Sequence, residues 1–166
     1  MKTRNLSLAA VLLAIGTMLH LLPGFFFGMK PDFLLLTMFM AICFNREAGS
    51  VAAISLCAGI LTALTTTFPG GQIPSILDKM VSGFTFFLMI KNRNSLTSLF
   101  VGVLTGINTI ISGAIFLSTA LLIAGLPAGA SLGGLILAVV LPTAGISAFF
   151  GSLLYKVLGR FNVQRA

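Results

Sequence analysis

Asp32 and Asp78 are two of only three acidic residues in a chain of 166, and each stands close to a lysine, Lys30 and Lys79 respectively. The third, Glu47, follows Arg46. Both lysine–aspartate pairs abut Gly/Pro-rich breaks, in Gly-Phe-Phe-Phe-Gly-Met-Lys-Pro-Asp and in Phe-Pro-Gly-Gly-Gln-Ile-Pro-Ser-Ile-Leu-Asp-Lys. A carboxylate beside an ammonium can hold the two ends of a zwitterion. Phe25, Phe26 and Phe27 add a flat apolar wall between glycines, and Thr65, Thr66, Thr67 and Gln72 bring hydroxyls and an amide close to Asp78. Aromatic faces, an anion and a cation together suit a small zwitterion with an apolar or aromatic body. The same residues also fit a plainer role, as charged anchors and an aromatic belt at a membrane interface. The residue types alone leave both readings open.

A second polar set is internal to an apolar run. Thr105, Asn108, Thr109 and Ser112 recur at i, i+3, i+4 and i+7, which is one face of a helix. Either they bond between helices, beside the close approach that Gly102 and Gly106 allow, or Asn108 lines a pocket. Thr143 and Ser147 form a weaker pair next to Pro142, and His20 ends the first apolar run as a packing residue or a substrate contact. Other chemistry is missing. No Gly-x-x-x-x-Gly-Lys phosphate loop, His/Glu metal cluster or Ser/His/Asp set occurs, and there is one histidine in all. An ATPase or hydrolase within this chain is excluded, and no metal or cofactor is expected. Cys43 and Cys57 lie inside apolar runs without Cys-x-x-Cys spacing and read as free thiols acting as small apolar residues.

The elements that must position these residues follow from composition. The chain is 57% hydrophobic and 8% charged, with a mean hydropathy of +1.10, where soluble domains carry about 25% charged residues. An all-α, polytopic membrane protein is expected, as one integral domain over residues 1–166. The net charge of +7 does not point to nucleic acid, because the basic residues form no stripe and instead sit at the ends of apolar runs. Six such runs predict a six-helix transmembrane bundle in the lipid bilayer, over about 6–22, 31–44, 48–68, 74–90, 96–124 and 132–158. The first begins like a signal peptide but lacks a small-residue cleavage site, so it reads as a retained helix. The second is short: about 14 residues reach only ~21 Å of a ~30 Å core. The deficit must be covered by bilayer thinning, by tilted neighbours, or by irregular chain at 24–30 dipping inward, and the last is tolerated only beside protein or a wet cavity.

Alternate loops differ in basic charge. Lys2, Arg4, Arg46, Lys91, Arg93, Lys156, Arg160 and Arg165 fall on one side, and only Lys30 and Lys79 on the other. By the positive-inside rule both termini are expected in the cytoplasm of a multi-pass cell-membrane protein, with the aspartate-bearing segments outside.

The stretches from Phe25 to Asp32 and from Thr65 to Lys79 resemble the signature segments of small bacterial tryptophan transporters, and the likeness covers the whole chain in length and span count. That family is similar in architecture to the substrate-binding S components of energy-coupling factor transporters. The resemblance implies a six-helix bundle that binds tryptophan near its outer face for uptake. Substrate contacts are expected among His20, Phe25, Phe26, Phe27, Lys30, Asp32, Thr67, Gln72, Asp78, Lys79 and Asn108. It also implies docking of a transmembrane coupling subunit driven by ATPases through small-residue motifs, here Ala10/Ala14 and Ala48/Ala52. The chain has 15 Phe and no Trp, which suits a protein needed when tryptophan is scarce. Two alternatives stand beside this reading: an S component for another small aromatic or vitamin-like substrate, and a non-transporting scaffold resembling rod-shape-determining subunits.

Overall fold

The computed structural model of the chain describes residues 3–22, 32–126 and 131–160. They form six helices: α1 (Thr3–His20), α2 (Phe33–Phe44), α3 (Ala48–Thr65), α4 (Gln72–Ile90), α5 (Ser98–Ile123) and α6 (Leu132–Arg160). Among the described residues there is no strand. The helices α3 to α6 are long and apolar enough to cross a membrane, whereas α1 and α2 are shorter apolar helices.

Side chains are distributed the opposite way to a soluble protein. Leu64 and Leu122 are 78% and 86% exposed on the outer surface, while Asp78 and Lys79 are each 1% exposed inside. Asn108, Thr105 and Ser82 are also fully buried. Such a surface is stable only in hydrocarbon, and the polar interior is where a bundle keeps groups that lipid would penalise. The chain is a membrane protein.

The short helix α2 is the hub. Every residue from Leu34 to Cys43 is buried, and α2 touches each of the other five helices. A helix apolar all round belongs in the middle of a bundle. Its 12 residues span only about 18 Å, so its first residue starts well below one end of the longer helices. Around it α1 packs on α2, α3 on α4, α4 on α5, and α5 on α6. The last contact is tight. A Cβ on Gly102 would lie 2.7 Å from the Ala148 carbonyl oxygen, and one on Gly106 would lie 3.0 Å from Ala148 Cβ.

Three local features depart from the sequence-derived segments. Helix α3 stops at Thr65 because Thr66 turns extended, at ψ 136°, ahead of Pro69 and the positive-φ Gly70. Helix α4 starts at Gln72, so Pro74 sits third rather than first; its missing N–H still falls among those that have no partner in a first turn. In α6 a π-helical stretch, Ile136–Val140, precedes Pro142. Proline cannot bond the carbonyl four residues back and crowds it, so the helix widens just before it.

Candidate functional site

His20 closes α1, Asp32 opens α2, Thr62 lies in the last turn of α3, and Ser75, Asp78 and Lys79 lie in the first two turns of α4. All therefore converge at one end of the bundle, around the start of α2. They line a cavity of about 340 Å³, within the roughly 300–1,000 Å³ of small-molecule sites.

Its polar floor is a single cluster rather than two separate pairs. Lys79 Nζ donates to Asp78 Oδ2 at 2.6 Å and to Asp32 Oδ2, also at 2.6 Å, across the α2–α4 contact. Asp32 caps α2, Oδ1 accepting from the Leu35 amide at 2.9 Å. A carboxylate at a helix N-terminus meets both unpaired N–H groups and the positive end of the macrodipole. His20 Nδ1 stands 3.5 Å from the same Oδ1. Asp78 is also held from its own helix, where Ser82 Oγ lies 3.4 Å from Oδ1. Counted by side chain, Asp32, Asp78 and Lys79 are two acids sharing one base, with His20 beside Asp32.

Above the floor the wall turns apolar and aromatic. Phe68 and Phe116 meet edge to face, with centroids 5.3 Å apart, and both border the cavity with Leu117. Opposite them run Leu135, Val139 and Val140, partly from the π-helical stretch. That stretch sits tight on α5, since a Cβ on Gly113 would fall 2.7 Å from both Val140 methyls. An ionic floor under aromatic and aliphatic walls can seat an apolar body with a charged head.

The structure brings His20, Asp32, Asp78 and Lys79 together in this cavity. Thr66, Thr109, Ser112 and Thr143, singled out in the sequence, also line it, whereas three described substrate candidates, Thr67, Gln72 and Asn108, do not. Thr67 and Gln72 are exposed and do not border the cavity. Asn108 is fully buried, but its carbonyl accepts from Thr85 Oγ1 at 2.8 Å and its amide donates to the Leu104 carbonyl at 3.0 Å, so it ties α4 to α5 beneath the site. Phe25, Phe26, Phe27 and Lys30 lie outside the described residues. Ala10, Ala14 and Ala48 are exposed and Ala52 half-buried on the outer faces of α1 and α3.

Sequence reasoning did not place Ser75, Phe68, Phe116 or Thr62 in the site, nor the aliphatic wall residues Leu117, Leu135, Val139 and Val140. Phe116 had a signal, lying four residues beyond Ser112 on the polar face of α5. Ser75 had one too, three before Asp78 and four before Lys79 on one helix face.

A family model described as Tryptophan transporter TrpP matches residues 2–161. A probable tryptophan transport protein of Bacillus subtilis (strain 168) is 46% identical over 160 residues, covering 95% of this chain and 92% of the relative. One of Clostridium acetobutylicum is 37% identical over 158 residues, covering 93% and 91%. Another, of Clostridium perfringens (strain 13 / Type A), is 34% identical over 176 residues, covering 99% and 95%. No solved structure matches the chain. With nearly its whole length matched, the chain belongs to the tryptophan transporter family, whose members are transport proteins and not enzymes.

Proposed function

We propose that the chain binds tryptophan in this cavity, from the outer face of the cell membrane, for uptake into the cell. The observation that carries the proposal is the buried Asp32–Lys79–Asp78 cluster at the floor of an aromatic-walled cavity. Its surplus negative charge faces the substrate ammonium, Lys79 serves the carboxylate, and the indole ring lies along Phe68 and Phe116. A scaffold needs no such buried ionic site. The outer orientation rests on the eight-to-two asymmetry of basic residues, which puts both termini in the cytoplasm. Phe25, Phe26, Phe27 and Lys30 stay proposed contacts on sequence grounds alone.

The test is equilibrium binding of radiolabelled tryptophan to the purified protein in lipid nanodiscs. Saturable binding is expected, displaced best by tryptophan, less by phenylalanine and least by leucine or indole. Binding that leucine displaces as well as tryptophan does would sink the aromatic assignment.

The S-component likeness extends the proposal to a coupling partner. Ala10, Ala14, Ala48 and Ala52 offer a small-residue surface on which a transmembrane subunit driven by ATPases can approach closely. Ala14→Leu should then abolish uptake by cells while leaving binding by the purified protein intact. Unchanged uptake would remove the partner from the scheme.

A further inference from the structure

Three hydroxyls around the cavity have already committed their proton, and Thr66 Oγ1 accepts from the Phe68 amide at 3.2 Å. Thr62 Oγ1 donates to the Ala58 carbonyl at 2.9 Å, and Thr109 Oγ1 to the Thr105 carbonyl at 2.8 Å. Thr143 Oγ1 donates to carbonyls of its own helix. Ser75 is different. It lines the cavity and is fully buried, yet its Oγ has no hydrogen-bond partner. A buried helical serine ordinarily bonds the carbonyl four residues back, and leaving a hydroxyl unpaired in a dry site is costly. Lys79 is one turn further along the same face of α4, and helical side chains lean back over the turn that precedes them. Its ammonium has three N–H donors, of which two go to Asp32 and Asp78.

We infer that Ser75 is a ligand-binding residue: its hydroxyl and the third N–H of Lys79 form a two-donor clamp for one carboxylate of the bound molecule. The inference rests on reading the cavity as an amino-acid site and assigns a residue to the carboxyl end. A carboxylate presents two acceptor oxygens, so it can satisfy the hydroxyl and the remaining ammonium N–H together. The ammonium end has a separate place, because the two aspartates outnumber the one lysine. Ligands without a carboxylate therefore still have a partner in the cavity but gain nothing from Ser75.

The experiment measures tryptophan and tryptamine binding to the wild type and to Ser75→Ala in nanodiscs. Tryptamine keeps the ring and the ammonium and lacks the carboxylate. Tryptophan affinity should fall by about 10- to 100-fold in Ser75→Ala, the loss of one hydrogen bond to a charged group. Tryptamine affinity should stay within about twofold, which also shows that the variant is folded. Should Ser75→Ala misfold, Ser75→Cys keeps nearly the same volume with a much weaker donor and should lose tryptophan selectively in the same way. Equal losses for both ligands, or no loss for tryptophan, would overturn the clamp while leaving the tryptophan site standing. Failure of the wild type to bind tryptophan would instead overturn the functional reading, and the clamp with it.

Discussion

Removing Lys79 would leave the buried Asp78 and the partly buried Asp32 carboxylates with no lysine between them, since Nζ lies 2.6 Å from each. Breaking a buried ion pair from one side typically costs about 3–5 kcal/mol, because the remaining charge is uncompensated. Lys79→Met should therefore lower thermal stability in detergent sharply. Adding Asp32→Asn and Asp78→Asn should restore part of it, and a triple variant no more stable than the single one would refute the shared-cation arrangement. Function should respond differently. Asp78→Asn removes the charge proposed to face the substrate ammonium and should weaken tryptophan binding by about 30-fold or more, from ~2–5 kcal/mol for a desolvated pair. Arg93→Gln, at the opposite end, loses only a contact with the Phe100 ring at 4.7 Å and should leave binding unchanged. Equal small effects would turn the cluster into a structural anchor. The scarcity of acids made Asp32, Asp78 and Lys79 legible in the sequence. Their pairing was not, because adjacency joins Asp32 to Lys30, whereas the contact to Lys79 spans 47 residues and exists only once α2 and α4 pack.

Helices were the most legible level, because apolar runs between charged or Gly/Pro breaks define them directly. Their count, six, follows from the runs, and the brevity of α2 follows from the run between Pro31 and Asn45. That brevity has a structural consequence: it lowers the N-terminus of α2, and Asp32 with it, beneath the ends of its neighbours. The π-helical stretch was not legible, since widening a helix by one residue per turn leaves an all-apolar sequence all-apolar. Only Pro142 hinted at it. The α5–α6 contact was half legible, through Gly102 and Gly106, but the facing residues Ala148 and Ser152 come from tertiary register. Gly102→Val should force these helices apart, as its Cβ would meet Ser152 Cβ at 2.8 Å and the Ala148 carbonyl at 2.7 Å. A stability loss of about 1–3 kcal/mol is expected. Gly133→Ala is the control, with nothing within 4 Å of the added methyl. Thermal unfolding of the two variants decides it, and matching behaviour would mean the helices are not held this closely.

At the scale of the whole molecule, charge sorts the two ends of the bundle. The end that holds the cavity has Asp78 and Lys79 sealed inside, with Asp32 partly exposed beside them. At the other end Arg46, Lys91 and Arg93 lie in the loops after α2 and α4, and Arg46 donates to the Arg93 carbonyl at 2.7 Å, joining those loops. Positive loops are retained on the cytoplasmic side, so the cavity should open outward. Cysteine labelling can test this directly once the background is clear. Cys43 is buried, but Cys57 is exposed on α3 and should first be replaced by alanine. Asn94→Cys then reports the basic end and Ser131→Cys the cavity end. Ser131 caps α6 by accepting from the Gly134 amide at 3.1 Å, so its replacement costs about 1 kcal/mol and leaves the fold in place. A membrane-impermeant maleimide applied to intact cells should label Ser131→Cys and spare Asn94→Cys until the membrane is opened. The reverse pattern would turn the cavity toward the cytoplasm. It would also require the eight-to-two basic bias to be violated, and uptake from outside would then need a different entry route.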